Sequence, residues 1–343
     1  MGDSGVSSGS PTTLDITAPP PDELCMTFTA AASASNSSKS FVTQTKGPDL
    51  LALPLSAGIT VSGELVDDPS TITAPFLPGD IILACLIPPQ PCLLSAHEDS
   101  LRLRIPTISA LELPGSMLPE TGCAYLTALM TGAAILKEQL HIPIIRTPTA
   151  SPTPAEDGGV ESYNNKRILV AGGETDLGAA FVQLLHRALP DAKIYTTCTE
   201  TETDSESTAA ILSQRLVHMK GLGASNSADG DARDLTDRLS PSFDIMINAV
   251  KDSDVRGDVM ELLDGMQRFV DCGTLDVEKA VVSFLEEEPD CVTSLHEMLM
   301  QAAGVFEMEE KEEKVEGEVE GRDLVGEEKK LGLEREDSGK FVD

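Results

Sequence analysis

Three glycines, Gly172, Gly173 and Gly178, lie between an apolar run, Ile168-Leu-Val-Ala171, and an amphipathic one, Ala179-Ala-Phe-Val-Gln-Leu-Leu185. Residues of these types in this order make a buried strand, a tight turn and a helix entered near Gly178. Such a turn can hold a dinucleotide. Glycines let the backbone approach a pyrophosphate, and the helix N-terminus offers it N–H donors. The spacing is G-G-x-x-x-x-G rather than G-x-G-x-x-G. It therefore also describes a strand-to-helix turn that binds nothing. Thr175 can donate its hydroxyl to a phosphate. Asp176 has two readings: it caps the helix, or it faces the ligand and its charge opposes the phosphates. Beyond the next strand comes Thr196-Thr-Cys-Thr-Glu-Thr-Glu202. An acid about 20 residues past the glycines holds the ribose hydroxyls of NAD, and Glu200 is placed to do so. No base lies close to these threonines before Arg215.

The elements that must position these residues alternate. Strands are expected at Ile168–Ala171, Lys193–Thr197, Phe243–Ala249 and Arg268–Cys272, and helices at Gly178–Leu189, Ala209–Leu222 and Arg256–Leu263. This is the pattern of a doubly wound parallel sheet, with Ile168–Ala171 central in it. Ahead of it the chain has another texture. Leu24 to Ala30, Ile59 to Val66 and Ile81 to Leu86 are strand-like runs punctuated by Pro and Gly. A helix is expected over Pro119 to Leu140. The expected organisation is a low-complexity, disordered N-terminus over 1–14, a β-rich domain over 15–120 and a connecting helix over 121–146. A linker or insertion over 147–160, a dinucleotide-binding domain over 161–306 and an acidic, disordered tail over 307–343 complete it. After Leu275 a single acidic helical stretch is expected.

The formal net charge is −32, which repels nucleic acid and anionic lipid and leaves both as poor partners. From Glu307 to Asp343 there are 15 acids against 7 bases, so most of the excess lies on the rest of the chain. Seven scattered cysteines form no C-x-x-C pair, which argues against a zinc ribbon and for buried thiols in a reducing compartment. No secretory signal is visible at the N-terminus, and no stretch approaches the ~20 apolar residues of a membrane span. A cytoplasmic protein is expected. No Ser-His-Asp arrangement, P-loop or metal cluster is apparent.

Several blocks in register resemble the medium-chain dehydrogenase/reductase family. Pro54-Leu-Ser-Ala-Gly-Ile-Thr-Val-Ser-Gly-Glu-Leu65 and Pro78-Gly-Asp-Ile-Ile-Leu-Ala84 are similar to its GroES-like domain. Ala124-Tyr-Leu-Thr-Ala128 is similar to its "LTA" helix, and Ile168 to Leu185 to its glycine turn. Phe243-Asp-Ile-Met-Ile-Asn-Ala-Val250 and Gly265 to Gly273 are similar to its later strands. The resemblance covers residues about 15 to 275 and lies nearest to zinc-independent quinone reductases and fungal trans-acting enoyl reductases. It implies an α/β fold class: an N-terminal GroES-like β-rich domain plus a Rossmann-type sheet. It implies hydride transfer from NADPH, with NADH as the alternative, to an enone, a quinone or an enoyl thioester, the substrate being a small molecule or carrier-bound. Gly172, Gly173, Thr175 and Gly178 would then line the pyrophosphate, with Thr197 and Glu200 at the adenosine ribose. Thr127, Asn248 and Val250 would lie toward the nicotinamide, and Asn36 would also belong to the cofactor site. Tyr125, the one tyrosine in a family motif, is the named candidate proton donor, with solvent as the other source.

Departures accompany the resemblance. His97-Glu98 lacks the preceding glycine and a matching cysteine cluster, so no metal is expected. The family's Asn-x-x-Asp pair becomes Asn36 and Lys39, and its C-terminal strands are diverged or missing. These departures keep open a second reading, a catalytically degenerate relative that serves as a binding or scaffold protein.

Overall fold

A computed structural model describes residues 23–33, 59–66, 76–86, 93–97, 100–144, 163, 165–198, 216–229, 243–249, 268–288 and 290–304. Asn36, Glu200, Val250, the helix expected over Arg256–Leu263, the 1–14 segment and the acidic tail fall outside these residues, as does the whole 147–160 linker.

The fold is α/β, a curled antiparallel sheet joined to a parallel one. The first sheet contains β1 (Glu23–Ser33), β2 (Ile59–Leu65), β3 (Ile81–Leu86), β4 (Leu93–His97), β5 (Ser100–Pro106) and β6 (Ala110–Glu112). Their order is β4-β5-β1-β2-β3-β6. The sheet has two apolar faces, and successive residues of β3 alternate between them. Leu24, Met26, Val61, Leu65, Ile82 and Ile105 pack together on one. Ala30, Ala32, Leu83 and Cys85 belong to a larger core that continues into the helices.

Helix α1 (Pro119–Leu140) is the spine of that core. Proline near its start has a preset φ and lacks an N–H that the first turn could not satisfy anyway. From Gly122 to Leu136 every residue is buried, the mark of a helix enclosed on all sides. One side meets β1 and β2, and others meet α2 (Asp176–Ala188) and α3 (Val277–Glu287).

The second sheet contains β7 (Arg167–Ala171), β8 (Lys193–Cys198), β9 (Asn226–Asp229), β10 (Ile245–Asn248) and β11 (Arg268–Asp271). All its pairings are parallel, in the order β11-β10-β7-β8-β9. Numbered from β7, this is 5-4-1-2-3, the strand order of a dinucleotide-binding sheet through its fifth strand. β7 is central, as its uninterrupted apolar run requires. Strand order reverses between β7 and β10, so the switch point lies at the carboxyl ends of these two strands.

The C-terminal region differs from the sequence expectation. Two helices follow β11 instead of one: α3 and α4 (residues 291–304). Val281, Phe284 and Leu285 of α3, and Leu295, Met298, Leu299 and Ala302 of α4, join the core around α1. α4 reaches both layers. Gln183 on α2 donates to the Met298 carbonyl at 2.7 Å, Arg187 pairs with Glu297 at 3.1 Å, and the His296 ring meets the Glu112 carbonyl of β6 at 2.7 Å.

One buried group makes stability acid-sensitive. His218 lies in a helical segment over 216–221, is 8% exposed, and burial pulls its pKa down to about 4. The unfolded chain protonates this ring near its ordinary 6.5, while the folded one holds it neutral. Its stabilising contribution is therefore complete above 6.5 and is lost as the pH falls toward 4. His218→Gln should flatten the fall in stability over that window by on the order of 2–3 kcal/mol. Urea melts of both proteins across the window check this, and parallel curves would refute it.

Candidate functional site

The carboxyl end of β7 runs into the glycine turn. Gly172 has φ 84°, the left-handed region open to glycine at no steric cost. Thr197 at the end of β8 secures the turn: its carbonyl accepts the Gly173 N–H at 2.8 Å, and its hydroxyl oxygen accepts the Gly172 N–H at 3.3 Å. The helix α2 then starts within van der Waals reach of the turn. A Cβ on Gly178 would lie 2.0 Å from the Gly172 carbonyl oxygen, and one on Gly173 would lie 2.1 Å from Thr196 Oγ1. Both positions require glycine, and at both the crowding comes from the protein itself.

Thr175, rather than Asp176, caps the helix. Thr175 is the N-cap of α2. Its oxygen accepts the Gly178 N–H at 3.0 Å while its hydroxyl donates to the Gly172 carbonyl at 2.8 Å. That hydroxyl is thus bonded within the turn. Asp176 does not cap; it occupies the first helical position, where its charge still favours the helix dipole. Burial pushes its carboxyl above the ordinary 3.8. Glu174 adds a second acid to the turn.

The raised Asp176 pKa has a signed consequence. A carboxyl whose folded pKa exceeds its unfolded one stabilises fully below the unfolded value and loses that contribution as the pH rises through the folded value. Ionised Asp176 therefore costs stability at neutral pH. Asp176→Ser should melt higher than wild type at pH 7 and match it near pH 3. Removing the charge should also tighten binding of a pyrophosphate-bearing ligand about threefold to tenfold at low salt, as expected for one charge at a helix N-terminus. Calorimetry of both proteins reads the two effects, and weaker binding by the variant would contradict the second.

The remaining candidates lie deeper. Tyr125 on α1 is 2% exposed, and its hydroxyl donates to Gln183 Oε1 at 3.0 Å. Burial, then the charge of Asp176, pushes its pKa up, which makes the phenol a weaker acid. Together with the Gln183 bond to Met298, it ties α1, α2 and α4 together. This is a packing position within the core. Thr127, 2% exposed, donates to Thr60 Oγ1 at 3.0 Å and joins α1 to β2. Asn248, fully buried at the end of β10, donates to Asp271 Oδ1 at 3.4 Å.

The structure thus brings Gly172, Gly173, Thr175, Gly178 and Thr197 into one turn, with Asn248 on the neighbouring strand end. Gln183, Thr60 and Asp271 escape a motif-based reading because they act through partners distant in sequence. For Asp271 a signal exists, an acid closing a short apolar strand.

Among the described residues, no group of three or more His, Cys, Asp or Glu is placed to hold a metal ion. Within the same limits, no helix is long and apolar enough to cross a membrane. Burial raises the thiols of Cys85, Cys272 and Cys291 to about 12, too high for a neutral-pH nucleophile.

A dinucleotide fits this turn through its backbone: a left-handed glycine, a helix start held against it by Gly178, and a location at the switch point. The carboxylates of Glu174 and Asp176 oppose it. The Asp176 and Leu177 amides, at the first two helical positions, are the donors that a helix N-terminus offers an anion.

No family model matches the sequence, and no curated protein is similar to it at a significant level. Solved structures of similar fold do exist. A probable oxidoreductase from Mycobacterium abscessus is 12% identical with a TM-score of 0.42, over 85% of this chain and 81% of that one. The CurK enoyl reductase is 13% identical with a TM-score of 0.42, over 84% and 81%. A quinone oxidoreductase from Thermus thermophilus, solved alone and with NADPH, is 14% identical with a TM-score of 0.38, over 83% and 92%. Similarity at this level carries no functional argument.

Proposed function

We propose that the chain is a zinc-independent oxidoreductase of the medium-chain dehydrogenase/reductase type. It takes NADPH, with NADH as the alternative, and reduces an enone, a quinone or an enoyl thioester. The observation that carries this reading is the glycine turn at the β7/β10 switch point of a sheet in dinucleotide-binding order. When bound, the nicotinamide supplies the hydride. The protein's own residues bind and orient. The turn from Gly172 to Gly178 receives the pyrophosphate on backbone N–H groups, and Thr197 keeps the turn in shape. Asn248 sits on the half of the sheet that takes the nicotinamide side. Tyr125 is bonded within the core and weakened as an acid, so the proton that completes the reduction comes from solvent.

The paired carboxylates of Glu174 and Asp176 favour the second reading, a degenerate relative retained for binding or scaffolding. Turnover separates the two. Oxidation of NADPH or NADH, followed at the nicotinamide absorbance with quinone and enone acceptors, is expected to depend on both protein and acceptor. Rates equal to a protein-free control would leave the binding role.

A further inference from the structure

A buried carboxylate stands on the other side of the switch point from the glycine turn. Asp271 ends β11 and is 9% exposed. Its Oδ1 accepts from Asn248 Nδ2 at 3.4 Å and from the Gly273 N–H at 3.2 Å. The Thr274 hydroxyl donates to its backbone carbonyl at 2.9 Å. A carboxylate oxygen accepts hydrogen bonds from amide N–H groups. It therefore turns the amide nitrogen of Asn248 toward itself and sets the orientation of that side chain. By capping the short helical turn Cys272–Thr274, it also fixes the backbone leaving β11. Both effects act at carboxyl ends of strands beside the switch point, where ligands of open α/β sheets bind.

The sheet consists of two mononucleotide-binding halves. The half with β7, β8 and β9 carries the glycine turn and the threonines after β8, the adenosine side. The half with β10 and β11 is left for the other nucleotide. We infer that Asp271 is a positioning residue for that second half: it holds Asn248 and the 272–274 turn in the arrangement that receives the nicotinamide ribose. This inference rests on the proposed dinucleotide site.

The test compares a whole cofactor with its adenosine half. Wild type, Asp271→Ala and Asp271→Asn are titrated with NADH and ADP-ribose, and with NADPH and 2′-phospho-ADP-ribose. Asp271→Ala should weaken the reduced dinucleotides about tenfold, the scale of one lost hydrogen bond, and leave the adenosine halves within about twofold. Asp271→Asn keeps the volume and one acceptor oxygen and should recover most of the loss. Should Asp271→Ala not fold, a partial loss confined to the dinucleotides in Asp271→Asn carries the same meaning. Equal weakening of dinucleotide and half would show a structural role and overturn the inference, as would no change in either. Wild type that binds none of the four ligands fails at an earlier arm, and both the dinucleotide site and the role of Asp271 fall with it.

Discussion

Gly178→Val is expected to abolish cofactor binding and to destabilise the fold by about 3 kcal/mol or more, the upper range for overpacking. The reason is local and backbone-bound. A Cβ at this position meets the Gly172 carbonyl oxygen at 2.0 Å, the Gly172 carbonyl carbon at 2.7 Å and Gly173 Cα at 2.9 Å. No side-chain rotamer relieves contacts made by a Cβ, so either α2 or the turn must move. Moving the turn breaks the Thr175 cap and the Thr197 bonds that shape it. Gly178→Ala brings the same Cβ and should be nearly as damaging. Denaturant melts and cofactor titration of both variants check this, and an unchanged midpoint in either would contradict the close approach.

The second large effect concerns the C-terminal helices. Leu299 on α4 is fully buried in the core around α1. Leu299→Ala should cost roughly 2–5 kcal/mol from lost transfer energy and the cavity left behind. Met300, its neighbour, is 39% exposed, so Met300→Ala should stay within about 0.5 kcal/mol. If the two variants melted alike, α4 would not complete the core, and the chain would lack the cover that the sheet and α1 need.

Where sequence and structure agree, local and tertiary signals coincide. β7 and α2 combine a run of apolar residues, two turn glycines and an amphipathic helix, and each feature points to the same elements. α1 is legible from Pro119 to Leu140 because its proline start and helical spacing agree. β9 is the opposite case. Asn226-Ser-Ala-Asp229 has poor strand formers throughout, and its conformation comes from pairing with β8. β5 does carry a strand signal, the alternation Leu101-Arg-Leu-Arg-Ile105, but Pro and Gly punctuation does not pick it out. α3 and α4 hide apolar faces among acids: Val281, Phe284 and Leu285 on one, Leu295, Met298 and Leu299 on the other.

The site was legible in its glycines and less so in its polar groups. Thr175 and Asp176 are adjacent and both suit an N-cap, and the choice depends on the residue at which the helix begins. The family motif singles out Tyr125 but carries no information about its burial or its bond to Gln183, 58 residues away. The Asn248–Asp271 pair depends on β10 and β11 lying side by side, which is a property of sheet order.

The most direct measurement of the central claim is a titration of the full chain with NADPH and NADH, followed by the nicotinamide's own fluorescence. The chain has no tryptophan, so indole emission does not interfere. Saturable binding to wild type, tighter in Asp176→Ser and absent in Gly178→Val, is the expected result. No binding of either dinucleotide to wild type at millimolar concentration would contradict it and leave the glycine turn a purely structural joint.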